Sequence, residues 1–450
     1  MNPTKTIAIF GHYGNQNLGD ESITQAMLDN ISQRLPEAQF IGMSINPVDT
    51  ARRHRITSFA IRRRSDGHNG PIEPELADTL SAPSAGAAVP TPAQAQQKTH
   101  ESISWKKRLK SLPVLGWLLQ SCQALLQLTL TTKNEIIFLL AARRAIKNID
   151  LIIVTGSNQF LDNFGGAWGF PYTLLKWTLL AKSCGNKVAF ASVGAGPLSL
   201  PVSFKMLNLA LGKSDFLSYR DDGSKALLES VNINLNGLIY PDIAHSLNYQ
   251  NTTSPTDGEL TIAVNPMPVY DSRYWAVADD LKFHAYVQKV ATLCTHILER
   301  GCQLKLFTTQ ARDADVIVDI VNVLQQSPAF DEWQARLQII NDESVNQLME
   351  TIASADIIVA TRFHATVLPL QLDKPVMGIC YYRKAAELLN DVGLQDYHVD
   401  IDDFSAEILI QMLESMISNR QQLTDTVSQR YAKYTHALDE QYQQLTALVN

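Results

Sequence analysis

Short apolar runs recur along the chain, each followed by a turn and then by apolar residues at helical spacing. Ile7-Ala8-Ile9-Phe10 is the first and reads as a short buried strand. It ends in a glycine-bearing loop, Gly11 to Ser22, after which Ile23, Met27 and Ile31 carry a helical period. From residue 150 the rhythm is regular: Leu151–Val154, a helix over about 170–184, Val188–Val193, another helix, Phe216–Tyr219, and a helix Ser224–Glu229. The polar stretch Asn251–Glu259 interrupts it. A second set follows: Leu260–Asn265, helix 280–299, Gln303–Thr308, helix 313–326, Leu337–Ile340, helix 344–353, Asp356–Ala360, helix 364–372 and Pro375–Cys380. The region 404–447 reads as helical. Strands alternating with helices predict parallel βαβ units.

Two such sets predict an α/β chain of two doubly wound Rossmann-like domains, 1–250 and 259–420, with a C-terminal helix over 421–450. A cleft between the domains would give a glycosyltransferase-B-like architecture. Two stretches break the rhythm. Residues 62–104 open with Arg62-Arg63-Arg64, read as a solvated charge cluster, and Pro71 to Gln97 is rich in Ala, Pro, Ser and Gln. Such a composition cannot bury a core, so a disordered insertion is predicted. Residues 105–148 read as helical. Trp105-Lys106-Lys107-Arg108-Leu109-Lys110 leads into leucine-rich runs broken by Gln120, Gln123, Gln127 and Lys133-Asn134-Glu135. A membrane span needs about 20 mostly apolar residues, so no crossing is expected. Two readings of 105–130 stand side by side: helices packing on the first sheet, or a basic, Trp- and Leu-bearing segment lying on an anionic membrane surface. For 134–147 the packing reading is preferred.

With 450 residues the chain can hold two full cores, and a formal charge of −7 argues against general nucleic-acid binding. The five cysteines (Cys122, Cys184, Cys294, Cys302, Cys380) are scattered without a CxxC, which argues against a disulfide framework or a zinc site and fits a reducing cytoplasm. No HExxH or facial-triad spacing occurs, so no metal is expected, and GxSxG is absent. Met1 to Thr6 runs straight into an apolar strand and does not read as a signal peptide.

The most informative chemistry sits at Thr361-Arg362-Phe363-His364, where an apolar strand ends. Ligands of open α/β sheets bind beyond the carboxyl ends of strands. Arginine is a forked, permanent cation suited to phosphate or carboxylate, and histidine exchanges a proton near neutrality. The alternative is a surface salt bridge and an ordinary helix start. Arg220 also follows a strand, with pairing to Asp221 or Asp222 as its plainer reading. Lys384, after Val376–Cys380, is either a ligand cation or a solvated helix start. Asp162 and Asp242 are loop residues or helix caps; His12 and His245 read as structural. The Gly11–Ser22 loop matches neither GxGxxG nor a Walker loop. It is either an anion cradle or a plain turn capped by Asp20 or Ser22.

Several stations in order resemble the polysaccharide pyruvyl transferase family. They are Gly14-Asn15-Gln16-Asn17-Leu18-Gly19-Asp20-Glu21, Gly156 to Asp162, Val193-Gly194-Ala195-Gly196-Pro197, Ser218-Tyr219-Arg220-Asp221-Asp222-Gly223-Ser224, Pro241-Asp242, Arg362-Phe363-His364 and Tyr381 to Lys384. They span roughly 7–60 and 150–385. The loop holds one extra residue before Leu-Gly-Asp-Glu, Gly156-Ser157-Asn158 replaces a frequent glycine pair, and 62–100 has no counterpart. The resemblance implies a glycosyltransferase-B-like fold and transfer of the pyruvyl group of phosphoenolpyruvate to a sugar of a surface polysaccharide or its lipid-linked precursor, forming a ketal, with no further cofactor. It implies His364 as the catalytic residue and Arg220, Arg362 and Lys384 as donor-binding residues. Asn15, Asp20 and Glu21 become acceptor-binding residues or bases. With Arg220 and Arg362 on different domains, domain closure would assemble the site. The expected location is cytoplasmic, peripheral at the inner membrane face if the acceptor is lipid-linked. Competing readings are a nucleotide-sugar glycosyltransferase on the same fold and a non-catalytic polysaccharide-assembly protein.

Overall fold

A computed structural model describes residues 4–64, 70–81, 132–249, 259–275 and 277–450. Strand β1 (Thr6–Phe10) encloses Ile7, Ala8 and Ile9 completely, as a continuous apolar run demands when both faces of a parallel sheet are covered. It pairs in parallel with β2 (Gln39–Ser44) and β4 (Leu151–Thr155). The sheet extends to β3 (Thr57–Ala60) on one side. On the other it runs through β6 (Lys187–Ala195) and β7 (Phe216–Tyr219) to β8 (Leu238–Ile239), with β5 (Asn158–Phe160) paired to β6. The second sheet is also parallel throughout. Its order is β11 (Leu337–Ile340), β10 (Gln303–Phe307), β9 (Thr261–Asn265), β12 (Ile357–Ala360), β13 (Val376–Cys380), β14 (His398–Asp400). The strand order reverses between β1 and β4 and again between β9 and β12. These are the switch points of two doubly wound sheets, where ligand crevices open.

The edge strand β3 and its neighbour β2 are absent from the predicted set. Burial of β2 covers only its second half, so no continuous apolar run marks it. Part of the 62–104 stretch, expected to be disordered, is folded. Ile72 exchanges two backbone hydrogen bonds with Ser58 (2.9 and 2.7 Å), and helix Pro74–Ser81 packs on helix Pro47–His54. Ile72 and Ala77 supply the apolar face that the surrounding composition lacks. Arg62, expected in solvent, is half-buried: Nε donates to Thr173 Oγ1 at 3.3 Å and the guanidinium lies 5.3 Å over the Phe170 ring. The rest of that stretch, the 105–130 segment with its two readings, and most of the polar 251–259 stretch lie outside the described residues. Helix 132–146 buries Phe138, Ala142 and Ile146 in the first domain. Among the described residues no helix is long and apolar enough to cross a membrane.

One apolar cluster runs without interruption from Ile7, Ile9 and Ile153 on the first sheet, through Ile23, Met27 and Ile31, into Ile262, Val264 and Leu348 of the second domain. Helix Leu18–Arg34 lies directly against helix Val345–Ala353. A backbone link joins the domains near the cleft, Leu18 N–H donating to Thr309 O at 2.9 Å. Interdomain motion is the default only where the interface is small and polar. Here the two halves share a core, and the expected clamp residues already face one cavity.

Helix Arg420–Ala447 returns to the first domain. Register shifts in β6 between Phe190 and Val193, where Ser192 takes φ +51, a bulge that turns its hydroxyl toward the helix. Gln441, fully buried, donates from Nε2 to Ser192 Oγ (2.9 Å) and Ser218 Oγ (2.7 Å). Truncating this amide strands the buried Ser192 hydroxyl, whose hydrogen bonds are to Gln441. Gln441→Ala is therefore expected to destabilise the protein by roughly 1–3 kcal/mol, read as a lower urea midpoint; an unchanged midpoint would contradict the assignment.

Candidate active site

The loops after β4, β7, β9, β10, β12 and β13 converge with Asn17 and Asp20 around a cavity of about 240 Å³. Arg220, Arg362, His364, Lys384 and Asp20 all line it, so five residues singled out from sequence come together from two domains.

Arg220 leaves the end of β7 and is 8 % exposed. Its Nη1 donates to Asp242 Oδ2 at 3.1 Å, its Nη2 donates to Asn158 Oδ1, and its guanidinium lies 5.7 Å over Phe363. A side chain at Gly194 would put Cβ 2.2 Å from Asn158 Oδ1 and 2.6 Å from Arg220 Nη2, so a residue without Cβ is required there. Lys384, at the start of helix Arg383–Asp391, donates to the same Asn158 Oδ1 at 3.0 Å and stands 3.3 Å from Asp221 Oδ2. Burial and the adjacent Arg220 push its ammonium down to about 8, although Asp221 opposes them.

His364 sits at the start of helix Phe363–Leu370, its ring against the Cα of Gly19. A Cβ at Gly19 would lie 2.2 Å from His364 Nδ1, so this glycine lets the first domain's loop touch the second domain's histidine. His364 Nε2 lies 3.9 Å from Asp242 Oδ2. Among the described residues, this nitrogen and Arg220 Nε are buried without a hydrogen-bond partner. Burial drives the His364 pKa down, Arg220 and Arg362 add to that, and Asp242 opposes it. Asp242 is itself buried. Burial raises its carboxyl, yet His364, Arg220 and the Ala244 N–H together hold it below the usual carboxylate range.

Asp20 takes a 2.6 Å hydrogen bond from Asn17 Nδ2. Burial first, then the neighbouring Glu21 charge, push its pKa up to about 7, against the Asn17 bond. Asn17 also caps helix Leu18–Arg34.

Three expectations need correction. Arg362 is not a free fork: its Nε and Nη2 bind the buried Asp313 carboxylate at 2.8 and 2.6 Å, and Nη1 takes no part in that pair. Asp313 is fixed in turn by the N–H groups of Thr309 and Gln310 (3.0 and 2.9 Å). Glu21 faces away from the cavity, because its helical position points into the core. Its carboxylate is fully buried, binding Gly14 N–H at 2.8 Å and His54 Nε2 at 2.8 Å. Asn15 is exposed and does not line the cavity, whereas Asn17 does. Asp162 caps, accepting from the N–H groups of Ser199 and Leu200. His12 packs on Phe170, and His245 bonds Tyr431 Oη at 2.7 Å.

Asn17, Asn158 and Asp313 went unread. Asn158 sits where a strand-end loop was already suspected. Asp313 looks like any helix-start acid. Among the described residues, no three His, Cys, Asp or Glu side chains are grouped to hold a metal.

Residues 17–382 match the family described as polysaccharide pyruvyl transferase. The amylovoran biosynthesis protein AmsJ of Erwinia amylovora is 20 % identical over 303 residues, covering 63 % of this chain and 69 % of that protein. Among solved structures, the UDP-GlcNAc 2-epimerase of Neisseria meningitidis bound to UDP-GlcNAc superimposes with a TM-score of 0.55 at 10 % identity, covering 99 % and 100 % of the two chains. HepE of Anabaena in complex with UDP gives 0.53 at 10 % identity, covering 99 % and 97 %. A glycosyltransferase from Rickettsia africae gives 0.54 at 12 % identity, covering 99 % of each. At these identities the likeness is one of fold.

The raised Asp20 pKa has a thermodynamic signature. An unfolded aspartate titrates near 3.9, so between about pH 4 and 7 the folded protein holds a proton that the unfolded chain has lost. The contribution is fully present below pH 4 and lost as pH rises through about 7. Urea titrations should therefore show Asp20→Asn gaining stability over the parent as pH moves from 5 to 8. A pH-independent difference would show that Asp20 titrates normally.

Proposed function

Since the chain belongs to the polysaccharide pyruvyl transferase family, we propose that it transfers the pyruvyl group of phosphoenolpyruvate to a sugar of a surface polysaccharide or its lipid-linked precursor, forming a pyruvate ketal. The observation that carries this reading is the gathering of Arg220, Arg362, Lys384 and His364 around one small cavity, with a buried nitrogen on Arg220 and another on His364 that make no hydrogen bond among the described residues. Phosphoenolpyruvate bears a phosphate and a carboxylate on three carbons. Cations contributed by both domains suit the two anionic ends and fix the carbon between them.

Ketal formation needs balanced proton traffic. One sugar hydroxyl adds to C2 of the donor and loses its proton, while the methylene carbon gains one and becomes methyl. The C2–O bond to phosphate then breaks, the leaving oxygen taking the electron pair. A second hydroxyl of the sugar closes on C2, and its proton leaves with the phosphate. Asp20, with a pKa near 7, is suited to take a hydroxyl proton near neutral pH. His364 is the candidate proton donor. The anionic donor would oppose the burial that holds its pKa down and favour the imidazolium. No cofactor beyond the donor is required.

Phosphoenolpyruvate is a cytoplasmic metabolite, so the reading implies a cytoplasmic reaction. A lipid-linked acceptor would bring the enzyme to the inner membrane face, which the basic Trp105–Lys110 stretch and the leucines after it would suit. The test supplies labelled phosphoenolpyruvate or a labelled nucleotide sugar with the acceptor polysaccharide's oligosaccharide. Label should move from phosphoenolpyruvate, with phosphate released in step. His364→Ala should lower that rate by roughly 10²–10⁴ while calorimetric binding of phosphoenolpyruvate persists. Transfer from the nucleotide sugar alone would overturn the reading, and near-normal turnover by a folded His364→Ala protein would remove His364 from the mechanism.

A further inference from the structure

A second cavity, of about 510 Å³, adjoins the donor cleft and shares Arg220, Phe363 and Lys384 with it as a common wall. We propose that it holds the neutral sugar units preceding the reacting sugar of the acceptor, with Asp222, Glu387 and Tyr434 as the recognising side chains. The proposal rests on the pyruvyl-transfer reading for the reaction, and on the following geometry for the subsite.

The volume is that of a ligand pocket. A chain lying in it reaches the shared wall, so its terminal ring meets the donor cleft. The charges of the two cavities differ in sign. Arg220, Arg362 and Lys384 face only Asp20 among the acids lining the donor cleft. The second cavity sets five carboxylates against three cations. Each of those cations already has its own acid: Arg220 with Asp242 at 3.1 Å, Lys384 with Asp221 at 3.3 Å, and Lys433 with Asp391. Asp222 and Glu387 remain, both exposed. Asp222 has no hydrogen bond or ion pair among the described residues, and Glu387 meets only the solvent-exposed Arg383, a contact of little worth. An anionic ligand would be repelled here, whereas two free carboxylates accept charge-assisted hydrogen bonds from sugar hydroxyls.

The remaining wall is apolar. Ile239, Pro241, Leu388 and the ring of Tyr434 line it. Tyr434 is held in place by stacking on His245 (4.5 Å between centroids, 17° between planes) and by its hydroxyl bond to Asp391. A pyranose ring combines a hydroxyl rim with a C–H face, which matches paired carboxylates beside an apolar and aromatic wall. The larger cavity on the opposite flank, lined by Gln16, Arg52 and Asp342, is less suited. It meets the donor cleft only at Thr309 and Gln310 and shares none of its cations.

The probe is the neutral repeat oligosaccharide of the producing cell's surface polysaccharide, freed of pyruvyl groups by mild acid. Its binding to the full-length protein is measured by calorimetry, with phosphoenolpyruvate titrated separately. The Asp222→Ala/Glu387→Ala double variant changes only exposed side chains and should fold normally. It is expected to bind the oligosaccharide about tenfold more weakly, or worse, because two charge-assisted hydrogen bonds are lost. Its affinity for phosphoenolpyruvate should match the parent's. Equal oligosaccharide affinity in the double variant overturns the subsite, as does a parent protein that binds no oligosaccharide, or a loss confined to Asp342→Ala. A parent protein that binds the oligosaccharide through Asp222 and Glu387 but ignores phosphoenolpyruvate supports the subsite and overturns the donor instead.

Discussion

The site is organised by one buried carboxylate. Asp242 receives Arg220 from its own domain and faces His364 from the other, while its second oxygen caps the turn that follows it. A buried charge is tolerable only when it is paired and hydrogen-bonded. Asp242 therefore fixes the guanidinium by a hydrogen bond and faces the imidazole at 3.9 Å, and the two together make its own burial possible. Asn158 extends the arrangement by accepting from Arg220 and Lys384 together. The cations are thus held in place by neutral and acidic partners, yet each keeps some capacity for a ligand. Arg220 Nε and His364 Nε2 are the atoms left over.

Such an arrangement needs a rigid frame between the domains, and the frame is apolar. The core that begins under β1 continues into the second sheet, and the Leu18–Thr309 backbone bond fastens the loop that carries Asp20. Gly19 is the narrowest point. Its missing side chain lets helix Leu18–Arg34 start against the His364 ring, so the two domains come into contact beside the cavity. The gathering of Arg220, Arg362, His364 and Lys384 is accordingly built into the resting fold rather than awaiting closure.

The alternation of apolar strands and amphipathic helices was legible because central parallel strands are buried on both faces and carry no polar positions. That signal names β1, β4, β9 and β12, and the loops leaving such strands lead to Arg220, Arg362, His364 and Lys384. Strands β2 and β8 escaped it, since only the second half of β2 is buried and β8 is two exposed residues. Partners escaped it for another reason. Asp313 lies 49 residues from Arg362 and Asn158 lies 62 from Arg220, and nothing in local pattern announces a contact at that separation. Glu21 shows the converse. Its position beside Asp20 suggested chemistry, but adjacent residues of a helix point about 100° apart, and only one of them can face the cleft.

Helix Arg420–Ala447 gives the chain an order of assembly. Gln441 and Tyr442 cover Ser192, Ser218 and Ala26, so the first domain's surface is finished by residues made more than 200 positions later. Synthesis runs from the amino end at a few residues per second, and domains tend to fold as they emerge. A first domain folded without this helix would leave the hydroxyls of Ser192 and Ser218 facing water. The surface of the first sheet is thereby a joint product of two distant parts of the chain, and loosening the helix would wet the hydroxyls of the strands.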